Sequence, residues 1–238
     1  MKLLLISSDF KTKEINSALA ELVGKDLSKM SVAIINEAHA VEEGDKRWNI
    51  EELNRLIQTV GGEVDLISLQ VLSKQKVAER IKNKDVIFVA GGHTDYLMSV
   101  FNKSGFSDLL PDLLKDKVYV GSSAGSMVMG KRVSTTFYKK IFGEGETYGT
   151  TKYLELVDFA IKPHLDSPEF PNRSKEVYIE AAQGYDGIIY GLRDDQAIVV
   201  KDGEIEFIGG KPLSLQKGKN YLVFYYGTES IFQKFKGR

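Results

Sequence analysis

The 238-residue chain has no cysteine. That excludes disulfides, thiolate metal sites and a cysteine nucleophile. Histidine is scarce: His39, His93 and His164 are the three present, and they are not spaced as a zinc site. Neither sign of charge dominates, since 32 Lys and Arg stand against 33 Asp and Glu. Without a basic field, nucleic acid and anionic membrane surfaces are not expected partners. No apolar run approaches the length of a membrane span. The opening Met1-Lys2-Leu3-Leu4-Leu5-Ile6 stops at Ser7-Ser8-Asp9, too early for a signal peptide, and reads as a first buried strand. A cytoplasmic location is therefore expected. No repeat or linker interrupts the chain, so residues 1–238 read as one domain, with no cofactor or metal expected and the oligomeric state open.

What is present is ordinary globular material, 42% hydrophobic and 27% charged. Over the first 130 or so residues, apolar strand-like runs alternate with helical stripes. Lys2–Ser7, Ser31–Asn36, Glu63–Leu69, Asp85–Ala90 and Val118–Val120 read as strands. Thr12 is placed to cap a helix carrying Ile15, Leu19 and Leu22 and ending at Gly24, and Ser73 to cap one carrying Val77 and Ile81. The strands are continuously apolar, so both sheet faces should be covered. This predicts an α/β doubly wound, mostly parallel sheet flanked by helices. Asp202-Gly203 between Ala197–Lys201 and Glu204–Ile208 predicts a C-terminal antiparallel hairpin extension, and Tyr221–Tyr226 reads as a last strand. The stretch 131–151 shows no period and reads as a long loop, expected to close over a site and limit it to short substrates.

The chemistry is concentrated in Val118-Tyr-Val-Gly-Ser-Ser-Ala-Gly-Ser-Met-Val-Met-Gly130. Gly121-Ser122-Ser123-Ala124-Gly125 fits G-x-S-x-G between a strand and a helix, the context of a nucleophile elbow. Ser123 is then the nucleophile, and the N–H of Ala124 points to where an oxyanion would form. A serine needs a base, and His164 is the one histidine that follows it. Its imidazole needs an orienting acid, for which Asp158, Asp166, Asp194 and Asp195 are candidates.

Together, Gly121–Gly125, Val89-Ala-Gly-Gly-His-Thr94, Val157-Asp-Phe-Ala-Ile-Lys-Pro-His164 and Gly191-Leu-Arg-Asp194 resemble the peptidase E (α-aspartyl dipeptidase) family nearly end to end. The resemblance implies a fold like that of class I glutamine amidotransferases and hydrolysis of dipeptides with an N-terminal aspartate by a Ser-His-Glu triad. It puts Ser123 at the nucleophile, His164 at the base and Asp194 where the family has glutamate. Gly92 and Ala124 fall at the oxyanion-hole positions. The chain departs from the family at His93, in place of an asparagine, and at Tyr138, in place of an aspartate. Lys175 aligns with the arginine expected to hold the substrate's aspartate side chain, with Arg173 nearby; Lys175, Arg173 and His93 are thus the substrate-binding candidates. The resulting expectation is a serine exopeptidase for short, possibly acidic, peptides. Two alternatives are an acyl hydrolase for other amides or esters and an inactive binding relative.

Overall fold

A computed structural model describes residues 1–216 and the short strand Gln233–Lys234. The strand read at Tyr221–Tyr226 lies outside the described residues. Five strands form the parallel part of the main sheet: β1 (Lys2–Ile6), β2 (Val32–Ile35), β3 (Val64–Leu66), β4 (Val86–Val89) and β5 (Val118–Ser122). Their spatial order is β1-β5-β4-β2-β3, every neighbouring pair parallel. A smaller second sheet contains β6 (Phe159–Lys162) and β7 (Ile188–Gly191). On the far side of β1, the main sheet continues antiparallel through β8 (Ala197–Lys201), β9 (Glu204–Ile208) and, last, β11 (Gln233–Lys234). Asp202 and Gly203 both have positive φ, 51° and 86°, as the two-residue hairpin turn requires.

The pleat of β1 sorts the core. Leu4 and Ile6 face the cluster built on α1 (Lys13–Val23) and α2 (Arg47–Thr59), while Leu3 and Leu5 face the larger cluster on the other side. That second layer holds α3 (Lys74–Ile81), α4 (Thr94–Ser104), α5 (Phe106–Leu113) and α6 (Ala124–Met127). Thr12 and Ser73 cap α1 and α3 as expected, accepting from the N–H groups of Ile15 and Lys76. Among the described residues, no helix is long and apolar enough to cross a membrane.

Two departures from the sequence reading concern the region after the elbow. The stretch read as loop contains α7 (Thr135–Phe142), capped by Ser134, whose hydroxyl accepts from Phe137 N–H at 3.1 Å. Threonines and aromatics are indifferent helix formers, and burial of Phe137, Tyr138 and Ile141 decides the outcome. The second sheet was not anticipated: β10 (Leu213–Gln216) pairs antiparallel with β7, which pairs parallel with β6. Between these strands, α8 (Lys175–Ala181) starts at Ser174, whose hydroxyl accepts from Val177 N–H.

Backbone packs closely around the turn after β5. A Cβ on Gly121 would stand 2.4 Å from the carbonyl oxygen of Gly125, and one on Gly125 would stand 2.2 Å from that of Val89. These are backbone atoms that cannot step aside. Gly125→Ala should lower the unfolding free energy by about 3 kcal/mol. Gly145→Ala, where the nearest atom to a new Cβ is 3.7 Å away, should change it by less than about 0.5 kcal/mol. Urea unfolding of both variants provides the comparison, and equal stability would refute the packing argument.

Candidate active site

The carboxyl ends of β1, β4, β5 and β6 converge on one cavity of about 650 Å³. Ser123 stands there in an unusual conformation, φ 47° and ψ −109°, immediately before α6. Its neighbours are committed elsewhere. Ser122 Oγ donates to the carbonyl of Ser8, and buried Ser126 Oγ bonds the carbonyls of Ile6 (2.8 Å) and Gly121 (2.6 Å).

His164 follows β6, its own φ of 64° turning the ring back toward the sheet. Its backbone N–H donates to Ser7 Oγ at 2.8 Å, and Ser7 donates in turn to the carbonyl of Leu192 at 3.1 Å. The imidazole Nε2 lies 3.0 Å from Ser123 Oγ, and Nδ1 lies 2.6 Å from Asp194 Oδ1. Ser167 Oγ donates to the other Asp194 oxygen at 2.8 Å. An ionised carboxylate only accepts, so Nδ1 carries the proton and Nε2 is left to accept from Ser123.

The electrostatics agree with that assignment. Burial, the largest influence, pushes the His164 pKa below its ordinary value, although Asp194 opposes it. Burial would raise Asp194, but the hydrogen bonds from His164 and Ser167 prevail and its pKa is lowered. The result near neutral pH is a neutral imidazole beside an ionised carboxylate.

The other candidate acids are engaged elsewhere. Exposed Asp158 pairs with Lys131, and Asp195 with Arg193 at 3.4 Å. Asp166 Oδ1 accepts the Lys175 backbone N–H at 3.1 Å. Gly92 lines the cavity at φ 135°, and a Cβ there would stand 2.4 Å from the Ala38 carbonyl carbon. No acceptor among the described residues takes the N–H of Gly92 or of Ala124.

The substrate-binding candidates separate. Arg173 lines the cavity, its guanidinium 3.7 Å above the Phe170 ring and 4.6 Å from that of Phe142. Its Nε is buried with no hydrogen-bond partner among the described residues. Lys175 and His93, by contrast, do not line the cavity. Lys175 begins α8, two residues beyond Arg173, which ends the short 3₁₀ turn Pro171–Arg173. His93 caps α4, its Nδ1 accepting from Tyr96 N–H at 3.3 Å, with Tyr148 edge-on to its ring.

The stretch 131–152 forms a wall of the cavity through Ile141, Phe142, Gly143 and Glu144. It is tied to α4 at Asp95, which takes two bonds from Arg132, at 3.0 and 2.6 Å, and one from Tyr153 at 2.7 Å. Tyr138, where the resembled family has aspartate, is buried against the ammonium of Lys162, which burial pushes well below the ordinary lysine pKa. Sequence reasoning missed Ser7, Ser167, Glu52 and Glu144. Polar residues scattered through loops carry no pattern that marks them, although Ser7 does sit at the end of a strand. Among the described residues, no group of three or more His, Asp or Glu side chains is placed to hold a metal ion.

The profile of peptidase family S51 matches residues 3–208. A peptidase E of Nostoc sp. is 27% identical over 187 residues, covering 76% of this chain and 74% of that protein. A protein of Drosophila melanogaster named as a probable alpha-aspartyl dipeptidase is 28% identical over 161 residues, covering 64% of this chain and 62% of its own. A crystal structure from Listeria monocytogenes EGD-e, provisionally named peptidase E, shares the fold with a TM-score of 0.66 at 23% identity. It covers 91% of this chain and 98% of that one.

The His164 titration tests the electrostatics. Followed by NMR, its imidazole should titrate below 6.5, and Asp194→Asn should move the midpoint lower still by removing the influence that raises it. A midpoint at or above 6.5, or an upward shift in the variant, would contradict this account.

Proposed function

The chain belongs to peptidase family S51, and from that premise we propose that it is a serine-type exopeptidase acting on short peptides through an acyl-enzyme. The observation that carries this reading is the continuous hydrogen-bonded line from Ser123 Oγ through His164 to Asp194, at 3.0 and 2.6 Å. Ser123 Oγ attacks the carbonyl of the first peptide bond while His164 Nε2 takes its proton. The N–H groups of Gly92 and Ala124 receive the oxyanion, and α6 begins at the second of these. Collapse of the tetrahedral intermediate breaks the C–N bond, and His164 returns the proton to the leaving amine. Water, deprotonated by the same imidazole, then attacks the ester carbonyl and releases Ser123. Asp194 holds the tautomer and offsets the transient charge on the ring.

The cavity wall supports a preference for a carboxylate on the substrate. The half-buried Arg173 guanidinium packs on Phe170 and Phe142 and has an unused buried donor, Nε. A carboxylate placed there would gain a charge-assisted bond in a partly buried setting, about 2 kcal/mol. In this reading the aspartyl side chain of a substrate meets Arg173 and not Lys175.

A serine-directed fluorophosphonate should label Ser123, with no adduct in Ser123→Ala. Asp194→Asn should lower kcat by about 10⁴-fold while stability changes little, whereas Asp166→Asn and Asp195→Asn should retain most activity. Labelling of Ser122 or Ser126, or an unimpaired Asp194→Asn, would overturn the assignment. For Arg173→Gln, the preference for an aspartyl over an alanyl dipeptide should fall by about 30-fold, and an unchanged preference would remove Arg173 from substrate recognition.

A further inference from the structure

The same cavity contains a carboxylate that the proposed chemistry does not use. Glu144 lies on the wall beside Phe142 and Gly143 and is 8% exposed. Its Oε2 accepts the Thr94 N–H at 3.2 Å and its Oε1 accepts the Thr94 hydroxyl at 3.4 Å. Both are neutral donors. Among the described residues its one ion-pair partner is His93, 3.7 Å away, which burial pushes toward the neutral form. Glu144 is therefore a buried acid that opens on the substrate cavity with no lysine or arginine in salt-bridge contact among the described residues; Lys162 and Arg173 act on it at longer range. Desolvation, reinforced by Glu42 and Asp95, raises its carboxyl to about 8. Leaving such a group unpaired is costly, and an arriving cation would relieve that cost.

Position narrows the cation. Thr94 lies two residues beyond Gly92, the proposed oxyanion donor. In a peptide whose first carbonyl points at Gly92, the adjacent Cα bears the α-ammonium and the first side chain. Arg173 on the same wall suits an acidic side chain and cannot bind an ammonium. We infer that Glu144 anchors the α-ammonium of the substrate, so that the site demands a free N-terminus and cleaves directly after the first residue. This rests on the serine exopeptidase reading and deepens it. A rival, Glu52, is also buried and raised, to about 7, and accepts the Gly91 N–H at 3.3 Å, close to Ser123. Glu144 shares its wall with Phe142, on whose ring Arg173 packs, so an ammonium at Glu144 and an acidic side chain at Arg173 would lie side by side.

The test compares aspartyl-leucine with succinyl-leucine, which differs only in lacking the ammonium. Inhibition by the products aspartate and succinate supplies a second reading that needs no turnover of the poorer substrate. The wild type should favour the free amine by about 10- to 100-fold in kcat/KM, and aspartate over succinate as inhibitor. Glu144→Gln, which keeps the shape and the acceptor for Thr94, should bring both ratios close to one. Fluorophosphonate labelling of Ser123 and binding of succinate should persist. Glu52→Gln should leave the ratios as in the wild type. Equal losses on both substrates would reduce Glu144 to a structural role. Unchanged ratios in Glu144→Gln, or their collapse in Glu52→Gln, would also overturn the inference. Failure of Ser123 to label in the wild type would instead remove the serine exopeptidase reading itself, and the anchor with it.

Discussion

Ser123 is held in a backbone conformation that side chains seldom adopt, and the rest of the site takes its position from that turn. Holding φ at 47° costs on the order of 1–3 kcal/mol. Three sets of hydrogen bonds keep the turn closed. Its N–H donates to the carbonyl of Ile6 at the end of β1, its carbonyl accepts from Ser126 and Met127, and Ser126 Oγ bonds the carbonyls of Ile6 and Gly121. The close approaches of Gly121 to Gly125 and of Gly125 to Val89 leave no room for the turn to relax. The sheet thereby offsets the strain, and the hydroxyl stands at the mouth of the cavity with the first N–H groups of α6 behind it.

The aspartate at the position of the family's glutamate sets a problem of reach. Asp194 is one methylene shorter, yet its carboxylate stands 2.6 Å from His164 Nδ1. The compensation lies in the backbone. Ser7 receives the His164 N–H and donates to the Leu192 carbonyl, and Leu192 N–H donates to the Lys162 carbonyl. These bonds sew the segment before Asp194 to the segment carrying His164. Ser167 fixes the far oxygen of the carboxylate. A closer backbone does what a longer side chain would otherwise do.

The parallel strands, the caps at Thr12 and Ser73, the elbow and the Asp202-Gly203 hairpin could all be read from sequence, because each rests on local pattern or turn chemistry. The helix Thr135–Phe142 could not, since its apolar stripe is short and its residues have weak propensity until Phe137 and Tyr138 are buried. The second sheet was hidden for a different reason: which strands pair is a matter of register, and no periodicity records it. Four acids were equivalent as triad candidates in one dimension, and the distances separate them. Arg173 and Lys175 differ by two residues, but a 3₁₀ turn ends at the first and α8 begins at the second. Glu144, set between two glycines in a polar stretch, carries no signal that would distinguish it from Glu146.

The distribution of charge in the cavity bears on what it admits. Asp9, Glu42, Glu51, Glu52, Glu144 and Glu169 line it, against Lys11, Arg55 and Arg173. Arg55 is spent on Asp9 at 3.1 Å. Burial raises Glu144 to about 8 and Glu52 to about 7, so the acidic excess near neutral pH is smaller than the count, and Arg173, packed on Phe170 and Phe142, feels Glu144 and Glu42. A simple cation would find nothing at Arg173, and a simple anion nothing at Glu144. The field instead suits a zwitterion, with its positive group toward Glu144 and a carboxylate toward Arg173. A short peptide with a free amine has that pattern of charge. On the proposed reading, that pattern of charge would select small substrates by the end of the molecule at which Ser123 would act.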